Sequence, residues 1–538
     1  MCLNLLQAQS HWHKEVNPGL KAKVDSILSG STRPTALREA ILQELRKEGY
    51  WLSQIKIIEK DSSLEAQIEP GKPYIIGELK LELPADIDFE TTQNQTENLI
   101  LNRENWLRRL NQELIPFEEN GFPFAQAQLS SYRIEGGKIS GTLKIESGPY
   151  ISLDSLALKG FSGMPPRFLR TDLGYYPGMP YRESFLKDLQ ERVQQIEFVG
   201  FSRPPAVAFI EDKSTLFLYL QEQKGNQIDG VIGLNTDAAG RSTLNGDFQL
   251  RLLNIFKKGE EINVRWRRPD ESVQQFNFGF NWPYLFSTPI WLNASLEIFR
   301  QDSSFVNTES NNEISYLFAP GKFITGGFDY RRSTTLSDES NPAFSNLGAF
   351  NSTRFLLGTR LRTLNRAVIP TRGYQFQLKG FTGQRTSQNI QQEQYGWNVT
   401  LDHYWNFSKN FVLKSGLNSQ ALFGESLFEN ELYRIGGLRS LRGFNEQSIF
   451  SSAYATGILE LRYMIGEFDY LTIFSDLAYS EKNTADDFER NFFTGLGTGL
   501  SFRTQGGIFS LFLAAGRSES SNFDLRATKI HFGYINRF

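Results

Sequence analysis

The sequence is poor in the residues that build disulfides and metal centres: among 538 residues there are one Cys, four Met and four His. A single Cys excludes an intrachain disulfide and any multi-cysteine metal site. His11 and His13 sit together near one end, and His403 and His531 fall on polar strand faces; two ligands at a chain end make a poor site, so no metal and no cofactor are expected. An excess of one charge is missing too. The 57 Lys and Arg face 60 Asp and Glu, a net charge of −3, which argues against the basic footprint of a nucleic-acid-binding protein. No apolar run approaches the roughly 18–20 residues of a spanning helix; the purest stretch, Ile508–Ala515, is broken by Ser510. Nucleophile-elbow, zincin, P-loop and dinucleotide signatures are absent, so no catalytic residues are expected. What is present is aromatic and glycine: 44 Phe, 20 Tyr, 8 Trp and 45 Gly. With 40% hydrophobic and 22% charged residues the chain is not disordered. Two classes remain. One is a large soluble all-β protein; the other is a membrane β-barrel, whose spanning signal is alternation rather than a continuous run.

The first residues, Met1–Ser10, are apolar and end in small or polar residues. They predict either the remnant of a secretory signal, truncated at a misplaced start, or a frayed terminus. Cys2, preceded here only by Met1, cannot be read as a lipid-anchor site. Residues 1–15 are accordingly set apart from the folded chain.

From Pro18 to Lys224 helical and strand patterns mix. Leu37, Ile41, Leu42 and Leu45 have helical spacing over Thr35–Glu48, and Gly49 is a stop signal. Extended stretches follow at Gln54–Glu59 and Leu64–Glu69. The pattern recurs. Lys47-Glu48-Gly49-Tyr50, Glu119-Asn120-Gly121-Phe122 and Phe198-Val199-Gly200-Phe201 each predict a helix end, with a left-handed Gly and an aromatic that packs back. Turns at Pro70–Pro73 and Ser147–Pro149 lead into strands at Ile75–Leu83 and Ile151–Lys159. Three α+β units in series are predicted, over 16–73, 74–149 and 150–224.

From 225 to 538 period two dominates. Phe276, Phe278, Phe280 and Trp282 oppose Gln275, Asn277, Gly279 and Asn281; Tyr395, Trp397, Val399 and Leu401 oppose Gly396, Asn398, Thr400 and Asp402. One face is aromatic and aliphatic, the other Asn, Gln, Ser, Thr and Gly. Polar stretches such as 333–346 and 481–490 suit external loops. This favours an antiparallel transmembrane barrel with a wet interior. Spans of about 9–11 residues fit sixteen strands. The last strand carries Ile530, Phe532, Tyr534 and Phe538 on one parity, with Gly533 on the other; Asn536 breaks the alternation.

Between two such strands lies the loop Arg434-Ile435-Gly436-Gly437-Leu438-Arg439-Ser440-Leu441-Arg442-Gly443-Phe444. Downstream, Leu459, Leu461 and Tyr463 point outward, with Glu460 and Arg462 inward. Leu471, Ile473 and Leu477 point outward, with Thr472, Phe474, Asp476 and Ala478 inward. A turn at Gly466–Asp469 makes Glu460 and Asp476 cross-strand neighbours, within about two residues of register. Two close carboxylates repel unless a cation compensates. Arg442 is the candidate, with a planar fork that can bridge both. That requires the loop to fold back into the barrel; the alternative is that Arg439 and Arg442 lie on a solvated external face.

These residues resemble the BamA/TamA outer-membrane assembly and translocation superfamily. Leu441-Arg442-Gly443-Phe444 is similar to its Val-Arg-Gly-Phe/Tyr loop motif. Phe474-x-Asp476-x-Ala478 is similar to its Phe-x-Asp-x-Gly strand motif, with Ala for the final Gly, which predicts modest crowding where the loop packs. Pro370–Tyr374, Gly495-x-Gly497-x-Gly499 and Thr504–Gly507 are further likenesses. The three units resemble the family's polypeptide-transport-associated (POTRA) domains, and three units at this length are most similar to the TamA branch. The resemblance implies a sixteen-stranded barrel in the bacterial outer membrane, with an N-terminal periplasmic arm. It implies a loop-to-barrel lock of Leu441, Arg442, Gly443, Phe444, Glu460, Phe474 and Asp476. It also implies a weak seam between the strand near Asp229–Asn235 and Thr528–Phe538, including Phe532, Gly533, Tyr534 and Phe538. Substrates would be unfolded barrel or secreted proteins, and a periplasmic partner would bind the first unit. The competing functions are a passive channel, a two-partner-type secretion pore and an outer-membrane hydrolase.

Overall fold

The computed structural model describes all residues except 1–6, 15, 31–33, 61–62, 86, 88–98, 162–165, 211–212, 237–241, 269–272, 337–345, 486, 505–506, 520–522, 524–525, 527 and 538. Phe538, Gln505, Gly506 and residues 337–345 of the polar stretch 333–346 therefore lie outside the described residues. The chain divides into two compact units. One comprises residues 1–154, 178–186 and 210–214; the other comprises 155–177, 187–209 and 215–538.

The first unit begins with a correction. Residues 1–15 are not merely a signal remnant or a frayed end, because Gln7–Trp12 is a strand, paired in parallel with Ser63–Glu69. Backbone pairing orders Gln7–Trp12, which composition alone does not reveal. Ser63–Glu69 also pairs antiparallel with Gln54–Lys60. Helices Pro18–Gly30 and Pro34–Lys47 cover this sheet. Leu20, Val24, Leu28, Leu37, Ile41 and Leu45 bury their side chains against Ile55, Ala66 and Ile68, because a spacing of four places each set of three on a single helix face. Gly49 ends the second helix at φ +85°, and the Tyr50 N–H donates to the Leu45 carbonyl at 2.9 Å, the closure of a left-handed cap.

The same plan is repeated. Ile75–Glu82 pairs in parallel with Lys138–Glu146, which pairs antiparallel with Gln126–Glu135. Helix Arg103–Glu118 ends at Gly121, φ +95°, and Phe122 packs edge-on to Phe117, with ring centroids 6.4 Å apart. A third sheet places Ser155–Lys159 parallel to Lys213–Glu222, with Val199–Ile210 on the far side. Its helix, Glu183–Gln194, ends well before Gly200. Gly200 lies within strand Val199–Ile210 and is not a helix cap. The sequence likeness there marks the start of a strand.

From Gln227 to Arg537 the described residues form a closed antiparallel barrel of sixteen strands. Large apolar side chains face outward: Phe355 and Leu357 are 66% and 68% exposed, and Ile473 is 61% exposed. The alternate residues Arg354, Phe474 and Asp476 are buried on the inward face. This is the two-faced strand that alternation encodes. Most neighbouring strands pair along their length; strands Gly373–Ser387 and Ile390–Ser408 do so from Gly373↔Tyr404 to Ser387↔Ile390. The closing joint differs. The first strand, Gln227–Thr236, meets the last, Lys529–Arg537, at two positions among the described residues, Gln227↔Arg537 and Ile228↔Asn536. Asn536, the break in alternation, is one of the two.

Candidate functional site: the loop lock and the seam

Residues 425–452 connect strand Phe411–Gly424 to strand Ala453–Met464, and they fold into the barrel rather than away from it. The entry to this loop is built from residues that local spacing does not single out. Asn430 is 1% exposed; its amide donates to Ser333 Oγ at 2.6 Å and to the Gly348 carbonyl at 2.8 Å. Glu431 accepts from the guanidinium of Arg385 and from Gln394 Nε2. The Arg434 guanidinium lies 3.6 Å over the ring of Phe299. A short ladder of Tyr433–Ile435 with Ile449–Ser451 then narrows the loop.

The tip carries the lock. Leu441 is fully buried and Arg442 is 5% exposed, so the solvated external face is ruled out for Arg442. Its Nε donates to Asp476 Oδ2 at 2.8 Å and its Nη2 to Asp476 Oδ1 at 2.6 Å, a two-pronged pairing. Nη1 donates to Glu460 Oε2 at 3.0 Å, and the Arg442 backbone N–H donates to Asp476 Oδ2 at 3.0 Å. The guanidinium plane lies 3.5 Å over the ring of Phe474. Arg462, inward as its parity requires, donates from Nε to Glu460 Oε1 at 2.7 Å. The site therefore holds two carboxylates and two guanidinia, and Glu460 is shared between both cations.

The register refines the sequence reading. Glu460 is opposite Phe474, and Ile458 is opposite Asp476. The carboxylates are diagonal neighbours, offset by two residues, and Arg442 spans the diagonal. Glycine makes room for the loop. Gly443 sits at φ +94°, and a Cβ there would come within 2.8 Å of the Gly516 nitrogen. At Gly495 a Cβ would lie 2.1 Å from the Arg442 carbonyl oxygen. The close approach is thus at Gly495, whereas Ala478 is buried in the ladder opposite Phe493. Phe444 packs edge-on to Phe493, ring centroids 5.3 Å apart.

The loop also reaches the last strand and, beyond the closing joint, the third strand of the barrel. The Gly443 N–H donates to His531 Nε2 at 3.3 Å, on the last strand. Glu446 lies 3.7 Å from Arg267 Nη2, on strand Glu261–Arg268, the third from the joint on the other side. Of the residues expected at the seam, Gly533 lies on the face that meets the loop: a Cβ there would stand 3.8 Å from the Leu438 side chain. Tyr534 and Phe532 pair through their backbones with Phe509 and Leu511. Neither takes part in the two pairs across the seam, and Phe538 lies outside the described residues.

Comparison with known proteins fits this geometry. Residues 254–538 match the model of the Omp85 superfamily domain. No curated protein sequence matches the chain. Among solved structures, BamA from Haemophilus ducreyi lacking POTRA domains 1-3 aligns with a TM-score of 0.50 at 14% identity, over 86% of this chain and 100% of that one. CdiB from Acinetobacter baumannii gives 0.50 at 14%, over 87% and 91%. CdiB from Escherichia coli gives 0.50 at 15%, over 98% and 100%. At such identities the likeness is one of fold. The domain match, which spans more than half of the chain and contains the loop, both acidic strands and the last strand, settles the family: the chain belongs to the Omp85 superfamily.

Proposed function

We propose that the protein is an outer-membrane machine that assembles, inserts or translocates barrel or secreted proteins through the closing joint of its barrel. The observation that carries this is the joint itself: two paired positions among the described residues, in a barrel whose other strands pair along most of their length. Unpaired N–H and C=O groups at an opened joint are a template for an incoming strand, which is recognition by strand addition. The loop, tied to the inward face by Arg442 and to both flanks of the joint, holds that joint in register. The three α+β units are read as POTRA domains in the periplasm, because each places a parallel neighbour on one side of its last strand and a further strand on the other. They receive the substrate, and the first unit is the proposed docking point for a periplasmic partner, as in the TamA branch. This reading needs no catalytic group, metal or cofactor.

The test is reconstitution in liposomes with an unfolded outer-membrane barrel, whose folding is followed by the mobility shift of unboiled samples. Acceleration by the wild type that Arg442→Ala loses is the expected result. Large, steady conductance without any acceleration, from correctly folded protein, would favour a passive channel.

A further inference from the structure

One cavity of the barrel-bearing unit, ≈ 650 Å³ in volume, is not used by the lock or by the joint. That size is within the usual range of ligand sites. It lies at the strand ends beside turn 319–321, and the later half of helix Glu183–Gln194 forms one wall. Its acids are already engaged. Arg251 pairs with Glu197 at 2.8 Å and with Glu261 at 2.7 Å. Arg372 pairs with Glu191, and Arg192 lies 3.8 Å from Asp188. The cations on the facing wall are not. Arg360 and Arg362 make no ion pair among the described residues, and neither does Lys322. Arg360 and Arg362 share the inward parity of strand Phe350–Arg362, so they stand roughly 6.6 Å apart along it. The buried Nε of Arg362 has no hydrogen-bond acceptor. Arg360 is held 4.3 Å over Phe323 and 5.9 Å over Trp291, and both rings line the cavity. The backbone beneath is fixed: the Arg362 N–H donates to the Gly321 carbonyl at 2.8 Å.

We infer that this cavity binds an acidic segment of extended polypeptide, a carboxylate side chain seating on Arg360 and Arg362 and a neighbouring aromatic side chain on Trp291 and Phe323. Planar guanidinia favour carboxylates over single-point acceptors, and a buried N–H without an acceptor, as at Arg362 Nε, gains most from an incoming one. Aromatic walls add sequence-tolerant apolar contact. The polypeptide class rests on the proposed assembly function; the binding itself does not need assembly to occur.

The experiment uses the full chain folded in detergent and a short rhodamine-labelled peptide of alternating Phe and Glu. Fluorescence anisotropy reads its affinity beside a peptide with Gln for every Glu. The Glu peptide is expected to bind at least about tenfold more tightly than the Gln peptide, a contrast that needs no protein variant. Arg360→Gln with Arg362→Gln is expected to remove that preference, and Arg362→Lys to keep part of it, with the unboiled mobility shift confirming a folded barrel in each. Equal binding of the two peptides, or an unchanged preference in the folded double variant, would overturn the proposal. So would displacement of the peptide by an equal concentration of inorganic phosphate, which would make this a simple phosphate site. Assembly activity is not read, so a failed assembly assay and a failed binding assay are separate results.

Discussion

The barrel has two kinds of joint. Between strands Gly373–Ser387 and Ile390–Ser408, backbone partners run without a gap from Gly373↔Tyr404 to Ser387↔Ile390. Between the first and last strands there are two partner positions among the described residues. The continuous joint has a full ladder of its own, and Glu431 at the loop entry also bridges its two strands through Arg385 and Gln394. The short joint is braced from inside: the loop tip touches His531 on one flank, and Glu446 reaches Arg267 on the other. The two joints thus differ in their backbone pairing: where the ladder is short, side-chain contacts from the loop make up a larger share of what holds the neighbouring strands.

The sharpest way to break this difference is Arg442→Ala. Removing one partner of a buried ion pair costs about 3–5 kcal/mol, because the other charge stays buried and unpaired. Asp476 would be that charge, since Glu460 keeps Arg462. The denaturation midpoint should fall by a corresponding amount, and protease accessibility should rise first in strand Lys529–Arg537 rather than in Gly373–Ser387. Equal rises in both strands would mean that the loop does not brace the joint specifically.

A second comparison is sharpened by pH. On the continuous wall, the turn after strand Val273–Trp282 is held by Tyr284, whose hydroxyl donates to Asp172 at 2.8 Å. Burial pushes the Asp172 carboxyl up to about 7, and the Tyr284 hydrogen bond offsets only part of that rise. A raised carboxyl stabilises the fold fully below its unfolded value of about 4 and loses that contribution as pH rises through about 7. Unfolding midpoints measured from pH 4 to pH 8 should fall across this window in the wild type. They should fall less in Asp172→Asn, which cannot ionise, whereas the joint's own protease resistance should not follow Asp172.

Smaller effects come from the two links across the joint. His531→Phe removes the acceptor of the Gly443 N–H and should cost on the order of 1 kcal/mol in chemical denaturation. Arg267→Gln breaks a longer, more exposed contact to Glu446 and should cost well under about 1 kcal/mol. A larger loss from Arg267→Gln than from His531→Phe would reverse the account of which flank the loop holds.

The barrel was legible because an outward apolar face and an inward polar face write themselves as alternation; Leu471, Ile473 and Leu477 against Thr472, Phe474 and Asp476 could be read directly. Arg442 could be found because two inward carboxylates on neighbouring strands need a cation. Their register could be read only to within about two residues, and the observed offset is two, since the turn fixes it and its geometry is not in the alternation. Asn430, Glu431 and Arg434 were not found. Their partners are remote in sequence, as with Asn430 and Ser333, 97 residues apart, and no local period marks them. Gly200 misled because a Gly before an aromatic suits a strand start as well as a helix cap. Gln7–Trp12 misled because its order comes from a partner strand more than fifty residues away.

The most direct measurement is a disulfide across the short joint. Ile228 and Asn536 are cross-strand partners, and directly opposed antiparallel residues have the Cα separation a disulfide requires. Ile228→Cys with Asn536→Cys, in a Cys2→Ser background, should abolish accelerated folding of a substrate barrel when oxidised and recover it on reduction. A matched pair at a continuous joint, Leu471→Cys with Leu500→Cys, should leave the activity unchanged in both states. Full activity with the short joint cross-linked would contradict the claim that substrates pass through it.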